Sequence, residues 1–347
     1  MSNTIINPYN FTASIVGAWK EVARTTVGSA SSTINVASIP NKQYYMILWD
    51  AQNSGQLDDI NLKLGYSTID SGSNYADRFS VNGGSDSTGI NQGDIRMDAN
   101  GGDFGRFGVS YISNLSASEK LIMGNRTGQN TSGAGTAPLR FEGVGKWANT
   151  SNVMDMLRFT NVGTGNFATG SEVVVLGYDA TDVHTDTDNF WQELASITLA
   201  SPADEMDTGT IPAKKYLWVQ AFVNGSGAQD NTSFRFNGDT GNNYAWRNSD
   251  DGAADTTVIN YNYLRAVQGD EENSFSNTFI VNNSANEKLL TCDTVKYTTA
   301  GAGTAPNRNE MAGKWANTSS QITQIKYIQF GAGDMDTGST LKVWGSD

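Results

Sequence analysis

The chain has very little of what most catalytic and metal sites are made of. It contains one cysteine, Cys292, and one histidine, His184. A single cysteine excludes an intrachain disulfide framework, so folding does not depend on an oxidising compartment. A single histidine excludes multi-histidine metal sites and most histidine-dependent catalysis within one chain. We therefore expect a protein that is not an enzyme, with no catalytic residues, no bound metal and no cofactor.

Basic residues and long apolar segments are also scarce. Lys and Arg number 23 against 36 Asp and Glu, which gives a net charge of −13. Without a basic stripe, binding to nucleic-acid phosphates is not expected. No apolar stretch approaches the roughly 18 residues of a membrane span. The first residues, MSNTIINPYNF, lack a basic segment followed by an apolar run, so we expect synthesis in a cytoplasm without a cleavable signal peptide.

Short alternating segments take the place of helical periodicity. Charged residues are only 17 % of the chain, glycines number 37, and aromatic residues reach 10 %. Apolar residues alternate over five to eight positions between Gly, Asn, Asp or Ser, which is typical of strands and turns. Val173 and Val175 share one face of such a segment, as do Leu341 and Val343. Two inward residues per strand fit one sheet of a β-sandwich.

One long segment occurs twice. Residues 133–151 read GAGTAPLRFEGVGKWANTS, and residues 301–319 read GAGTAPNRNEMAGKWANTS. The duplicated unit, of about 160 residues, is domain-sized and too long for a solenoid repeat. We therefore predict an all-β chain of two tandem homologous antiparallel β-sandwich domains, jelly-roll-like, each with about eight to ten strands. The predicted parts are an N-terminal arm, 1–18; domain 1, 19–179; a linker, 180–190; and domain 2, 191–347.

The repeated tryptophans and asparagines form the structural signature of the duplication. Trp147 and Trp315 lie in the shared GKWANTS segment, followed by Asn149 and Asn317, and Trp19 and Trp191 open the two copies. Each indole could stack on a sugar ring. The simpler interpretation is that it fills one end of the sandwich while the asparagine holds a tight turn.

Other motifs have both a functional and a structural interpretation. GAGTAP lacks the lysine and helix that a phosphate-binding loop needs, so a turn is expected. Glu119 and Glu142 could be a glycosidase pair, but each has a basic neighbour in sequence, Lys120 and Arg140, and ion pairing is the simpler account. A loose series of aspartates near the linker lacks the pattern of a calcium loop, so a solvated acidic linker is favoured. These aspartates are Asp179, Asp182, Asp186 and Asp188.

A specialised site is expected where the two copies differ. The divergent stretches rich in Gly, Asp and Asn are 68–105 and 239–275. Three aromatic residues in or beside them, Tyr75, Tyr244 and Trp246, are the candidates for stacking on a glycan.

Two segments carry a resemblance to a known group. The strand and turn FNGDTGNNYAWR (236–247) and the ending from Trp315 to Gly345 resemble virion structural proteins of tailed bacteriophages. Gly165-Asn-Phe167 and Gly170-Ser171 match the same ending in copy one. The resemblance implies a virion part, such as a decoration, fibre, baseplate or tail component, and carries no catalytic residues.

Two functions follow as expectations. The first is a non-enzymatic virion structural protein, most consistent with a capsid decoration or surface appendage. It would act through contacts with capsid or tail subunits, as a homo-oligomer, with the arm adding a strand to a neighbour's sheet edge. The alternative is an adhesin on the same fold that binds host surface glycans. Neither function involves nucleic acid or a membrane.

Overall fold

The computed structural model describes most of the chain. The described residues are 15–16, 18–99, 101–102, 104–180, 182–184, 188–225, 231–268, 273–297, 299, 301–331 and 333–347. The predicted N-terminal arm lies outside them apart from Ile15, Val16 and Ala18, so its docking role stays a prediction. Within these ranges, no helix is long and apolar enough to span a bilayer.

The regular elements are β-strands in both halves of the chain. The first half contains β1 (Ile15–Val16), β2 (Lys20–Thr26), β3 (Thr33–Val36), β4 (Tyr44–Ala51), β5 (Asn53–Ser54), β6 (Ile60–Tyr66), β7 (Thr68–Ile69), β8 (Tyr75–Val81), β9 (Ser87–Gln92), β10 (Ile95–Asp98), β11 (Arg106–Ser113), β12 (Lys120–Gly128), β13 (Leu139–Trp147), β14 (Met156–Asn161), β15 (Asn166–Phe167), β16 (Glu172–Tyr178) and β17 (Val183–His184). The second half contains β18 (Gln192–Thr198), β19 (Glu205–Asp207), β20 (Tyr216–Val223), β21 (Asn231–Phe236), β22 (Tyr244–Asp250), β23 (Thr256–Tyr261), β24 (Leu264–Gln268), β25 (Ser274–Val281), β26 (Lys288–Lys296), β27 (Asn307–Trp315), β28 (Ile325–Phe330) and β29 (Thr340–Ser346).

Each half folds as an antiparallel sandwich of one large and one small sheet. The large sheet of the first sandwich has the order β2-β16-β4-β11-β12-β13-β8-β9, and its small sheet has the order β10-β6-β14-β3, with β7 added to β6. The second sandwich repeats this as β18-β29-β20-β25-β26-β27-β22-β23 and β19-β28-β21-β24. The predicted all-β sandwich class is confirmed. With eight strands in each large sheet, five in the first small sheet and four in the second, the predicted eight to ten strands per domain were too few.

The large sheets are buried on both faces over part of their area, which alternation alone does not show. In β16, Val173 and Val175 belong to the core of the first sandwich. Val174 and Leu176, which point to the opposite face, belong to a separate apolar cluster between the sandwiches. A strand covered on both faces reads as a continuous apolar run, and residues 173–176 read Val-Val-Val-Leu.

The outer faces of the two large sheets pack against each other. Met46, Leu48, Phe107 and Val109 from the first sheet meet a matching set from the second and from the linker. That set is Phe190, Trp191, Tyr216, Phe279, Val281, Leu289 and Trp344. The sequence left open whether the two domains touch. The structure places an apolar core between them, so they are joined by burial of apolar surface as well as by the linker.

Candidate functional site

A groove opens where the two large sheets stop covering each other. Its volume is about 970 Å³, and its lining comes mainly from the outer face of the first large sheet. Exposed apolar side chains dominate it: Tyr44, Ile90, Leu121, Met123 and Val144. Trp19, Tyr111 and Tyr178 lie beside them, and Trp191 and Trp218 of the second sandwich close one side. Contiguous exposed apolar surface of this kind marks interaction sites.

The second sandwich contains the same surface as this groove, but there it is covered by protein. Leu121 and Leu289 are equivalent residues in β12 and β26, yet Leu121 is 57 % exposed and Leu289 only 2 %. Tyr44 of β4 is likewise exposed, whereas its equivalent in β20, Tyr216, is buried. The second sandwich therefore has this face covered by the first, while the first has the same face open. We call the surface of Tyr44, Leu121, Met123, Val144 and Lys146 the open face.

Aromatic rings line one edge of the open face. Trp19 and Tyr178 have ring centroids 5.7 Å apart, and Tyr44 and Tyr178 are 6.4 Å apart. The rings are tilted rather than stacked, at 49° and 41°. Asn189 contributes a polar side chain to the same lining. This edge combines broad apolar contact with a hydrogen-bonding group.

One ion pair lies at the far edge of the open face. Lys146 Nζ lies 2.8 Å from Glu119 Oε2, and both side chains are exposed. In the second sandwich the equivalent Lys314 is buried, and its ammonium donates to the carbonyls of Gln129 and Thr131 at 3.0 and 2.6 Å. The equivalent lysines are therefore exposed in the first sandwich and buried in the second, where the first sandwich covers them.

Glu287 completes the buried version of this pair. It accepts a hydrogen bond from the backbone N–H of Gly133 and lies 3.7 Å from Lys314 Nζ. Burial lowers the pKa of Lys314, although Glu287 partly opposes this. The contact orders the GAGTAP loop 133–138 of the first sandwich on the face of the second.

A second polar cluster joins the sandwiches at their other end. Glu172 accepts hydrogen bonds from Thr26 at 2.6 Å, Tyr216 at 2.9 Å and Lys215 at 3.0 Å. Burial opposes ionisation of Glu172, but the Thr26 hydrogen bond and the charges of Lys215 and Arg24 outweigh it and lower its pKa. Burial raises the pKa of Tyr216 well above its usual value. A satisfied buried network of this kind fixes the relative position of the domains.

A third group of charges lies in the crevice between the sheets. Both carboxylate oxygens of Asp293 accept from Asn125 of the first sandwich, at 3.2 and 3.0 Å. The crevice remains open to solvent, but the surrounding protein displaces much of the hydration of the carboxylate. Desolvation, together with the nearby Glu310 and Glu142, raises the pKa of Asp293 to about 6.

The repeated tryptophans divide into two groups. Trp147 and Trp315 are buried inside their own sandwiches, where the indole N–H donates to Asp70 at 2.8 Å and to Asp239 at 2.7 Å. They fill the core as the structural interpretation predicts. Trp191 is also buried, but between the sandwiches, in edge contact with Phe190 at 5.0 Å.

Trp19 differs from the other three because it is only partly buried and packs beside Tyr178 at the edge of the groove. The asparagines hold turns as predicted. Asn149 Oδ1 accepts from the N–H groups of Ser151 and Asn152, both at 2.9 Å. Asn317 does the same for the turn at 317–320.

The prediction of three glycan-stacking residues is wrong. Tyr75, Tyr244 and Trp246 are all buried, so their ring faces are not available to a sugar. The Tyr75 hydroxyl donates to the carbonyl of Leu64 at 2.8 Å, and the Tyr244 hydroxyl lies 3.1 Å from the carbonyl of Asp239. These aromatic residues fall at inward positions of β8 and β22, where burial of the ring and satisfaction of the hydroxyl serve the core.

Glu119 and Glu142 do not form a glycosidase pair. Glu142 pairs with Arg140 at 3.0 Å, as expected. Glu119 pairs with Lys146 instead of the predicted Lys120, because Lys120 turns inward and donates to the carbonyl of Asn149 at 3.0 Å. The two glutamates are separated by six residue steps along paired strands, about 20 Å, which is too far for a glycosidase pair.

Two of the linker aspartates lie beside lysines. Asp182 pairs with Lys42, and Asp188 lies 3.6 Å from Lys20. Asp186 lies outside the described residues. Within the ranges that the structure describes, no group of three or more His, Cys, Asp or Glu side chains could hold a metal ion.

The sequence did not predict which loop and which face would meet. GAGTAP 133–138 forms the expected turn, but its contact with the second sandwich depends on packing between the domains. The divergent stretch 68–105 does contribute Arg78 and Ile90 to the groove. One sequence signal could have located the groove. Leu121 and Met123 lie on the outer face of β12, and both are apolar where a solvated face would carry polar residues.

Comparison with known proteins does not identify a family. No protein-family model and no curated protein matches the chain. Among solved structures, the LG1–3 region of the laminin α2 chain is similar over 90 % of this chain and 64 % of that chain, at 10 % identity and a TM-score of 0.23. This chain therefore spans less than two thirds of that laminin fragment. Domains LG4–5 of mouse laminin α1 are similar over 99 % and 92 %, at 10 % identity and a TM-score of 0.19. Similarities this weak do not bear on function.

Proposed function

We propose that this chain is a non-enzymatic structural protein that acts by binding other proteins through its open face, as a component of a tailed-phage virion. The observation that supports it best is the contrast between Leu121 and Leu289. The same apolar face is covered by protein in the second sandwich and exposed in the first. A face of this composition gains free energy when another protein removes it from water.

The remaining geometry is consistent with a binding protein. Glu142 and Glu119 each pair with a basic side chain, Arg140 and Lys146, and lie too far apart to act together as an acid–base pair. The resemblance of residues 236–247 and 315–345 to virion structural proteins supplies the class of partner, namely capsid or tail subunits. On this proposal the protein is made in the host cytoplasm and resides in the virion as a decoration or appendage component.

A glycan-binding adhesin is the second candidate. It is favoured by the aromatic edge of the groove, where Trp19, Tyr44 and Tyr178 lie near Asn189. The lining offers few polar groups, however, and sugar recognition needs several placed hydrogen bonds to hydroxyls. A protein partner therefore fits the open face better.

The test is binding of purified full-length protein to virions or empty capsids that lack it, scored by electron microscopy. Wild-type protein should occupy regular sites, and Leu121→Glu should abolish this because it places a charge in the centre of the apolar contact. Val162→Glu is the matched control, since Val162 is equally exposed but lies outside the groove.

The two candidate functions give different results in this experiment. Loss of particle binding in Leu121→Glu but not in Val162→Glu supports the virion proposal. If none of the three proteins binds particles while wild-type protein binds host surface polysaccharide, the virion proposal fails and the adhesin replaces it.

A further inference from the structure

The contact between the two sandwiches joins a loop of one to a sheet face of the other. The GAGTAP loop 133–138 lies on the second sandwich, where Gly133 donates to Glu287. Within the same contact the backbone N–H of Asn260 donates to the carbonyl of Ala134 at 2.9 Å. Lys314 donates to the carbonyls that precede the loop. The backbone of the loop and of the residues before it is therefore held by Glu287, Asn260 and Lys314 of the second sandwich.

Charged and aromatic contacts extend this loop-to-face contact. Arg140 Nη2 lies 2.7 Å from Asp255 Oδ1, and Arg247 Nε donates to the carbonyl of Pro138 at 3.0 Å. Phe107 stacks on Tyr216 with ring centroids 6.3 Å apart and an interplanar angle of 29°. In each contact one partner belongs to the loop side, in the first sandwich, and the other to the face side, in the second. Arg140 donates from the loop side, and Arg247 donates from the face side.

Because the chain is duplicated, it contains a second set of the same residues. On the loop side the second sandwich carries Phe275, the GAGTAP loop 301–306 and Arg308. On the face side the first sandwich carries the equivalents Tyr44, Arg78, Asp86, Asn91, Glu119 and Lys146. The side chains named in this loop-to-face contact all recur as the same residue type in this second set, whereas those of the Asn125–Asp293 and Glu172–Lys215 contacts do not.

This second set is exposed within the chain. Arg308 has 60 % of its side chain exposed, against 6 % for Arg140, and Asp86 has 52 % exposed, against 1 % for Asp255. Residues 301–306 are all exposed. A Cβ at Gly303 would meet nothing within 4 Å, whereas one at Gly135 would lie 3.9 Å from Asn260. Exposed charges contribute little to folding, so the fold does not account for this match.

We propose that the open face of the first sandwich binds the GAGTAP loop 301–306 and the adjoining Phe275 and Arg308 of a second copy of this chain. The contact would repeat between chains the one that joins the two sandwiches within a chain. Asp86 would pair with Arg308, Tyr44 would stack on Phe275, and Lys146 and Glu119 would hold the loop. Opposite charges would thus face each other across the contact, and so would apolar side chains.

The symmetry of this contact determines the form of the assembly. It joins two different surfaces, so each chain uses one to bind the next chain and the other to be bound. Such heterologous contacts produce closed rings when the rotation closes and open filaments when it does not. The inference rests on the proposed function, because it names a second copy as one partner of the same open face.

The test uses charge reversal at two exposed positions in the full-length chain, followed by analytical ultracentrifugation. Wild-type protein should form oligomers at about 100 μM, a concentration at which even weak specific contacts are populated. Asp86→Arg and Arg308→Glu should each weaken association by about tenfold or more, because each places like charges opposite one another. Arg158→Glu, on the small sheet, is the matched control and should associate like wild type. Thermal melts establish that all variants fold.

The two variants, mixed together, distinguish contact between chains from closure within one chain. In the mixture each loop side faces an oppositely charged open face, so association should return. If the wild type is monomeric, or if the two reversals leave its oligomers unchanged, the inference is overturned. Failure of the mixture to associate would also overturn it, because the two reversed charges would then not meet across one contact between chains. Particle binding by Val162→Glu and wild-type protein is read separately, so failure of self-association leaves the virion proposal intact.

Discussion

The ammonium group of Lys314 lies 2.6 Å from the backbone carbonyl of Thr131, in a hydrogen bond that crosses from the second sandwich to the first. Its equivalent in the first sandwich, Lys146, is exposed and pairs with Glu119 of its own sandwich. A single pair of equivalent lysines therefore reports on both the closed contact between the domains and the open face.

The first prediction concerns this pair of lysines. Lys314→Met should lower the free energy of unfolding by about 3 kcal/mol, because it leaves the buried carboxylate of Glu287 without its counter-charge. Lys146→Met, at the equivalent exposed position, should change it by less than about 1 kcal/mol. Urea denaturation of dilute protein measures both. Equal losses would show that Lys314 is not stabilised by the contact between the domains.

The second prediction uses the equivalent leucines. Leu289→Ala should cost about 2–5 kcal/mol, since it removes apolar contacts from the core between the sandwiches. Leu121→Ala should remain within about 0.5 kcal/mol of wild type, because its side chain is already in water. The comparison of denaturation midpoints is decisive, and a large effect of Leu121→Ala would mean that the groove is filled in the isolated chain.

The third prediction concerns the turn that is repeated in both sandwiches. Asp70 accepts from the Trp147 indole and from the backbone N–H of Gly72, both at 2.8 Å, and Asp239 does the same for Trp315 and Gly241. Asp70→Ala should destabilise the first sandwich by about 1–3 kcal/mol, because the buried indole N–H loses its acceptor.

Asp239→Ala should have an effect of the same size on the second sandwich. Differential scanning calorimetry of both variants measures it. Ser73→Ala, an exposed substitution within the same turn, is the control and should melt like wild type. Unchanged melting of both aspartate variants would show that the turn does not depend on this acceptor.

The fourth prediction is a pH dependence that arises at Asp293. Its pKa is raised to about 6 in the folded chain from an ordinary value of 3.8, so the folded state binds the proton more tightly than the unfolded state. This contribution to stability is fully present below about pH 4 and is lost as the pH rises through 6. Between pH 4 and pH 7 the wild-type chain should therefore lose stability relative to Asp293→Asn.

Urea midpoints across this range measure the difference between the two proteins. The neighbours Glu310, Glu142 and Arg140 carry charge near the crevice, so the comparison with Asp293→Asn isolates the one group. Parallel pH profiles for the two proteins would contradict the assignment.

The sequence alone predicted a large part of the fold. Alternation in segments such as 173–175 and 341–343 predicted strands, because a strand with one face in a core places every second side chain inward. The duplicated GKWANTS segment predicted Trp147 and Trp315 as core residues and Asn149 and Asn317 as turn residues. All four are observed in those positions, since local turn chemistry and core filling depend on few distant residues.

The stacking residues were predicted wrongly for a related reason. Tyr75, Tyr244 and Trp246 lie in or beside divergent, polar stretches, which suggested exposure. In the fold they occupy inward positions of β8 and β22, because strand register, set by pairing with β13 and β27, decides which side chains face the core. Register depends on hydrogen bonds between strands far apart in the chain, which composition does not show.

By itself, the sequence determined the β-strand content and the duplication, because side-chain alternation and repeated turn residues act locally. The tertiary structure decided that the outer faces of the two large sheets meet, and that Tyr44 and Leu121 are exposed while their equivalents Tyr216 and Leu289 are covered. Leu121 and Leu289 are the same residue in the same strand position. Their difference in exposure arises from packing between the sandwiches. That packing depends on how two whole domains fit together and not on the local sequence around either leucine.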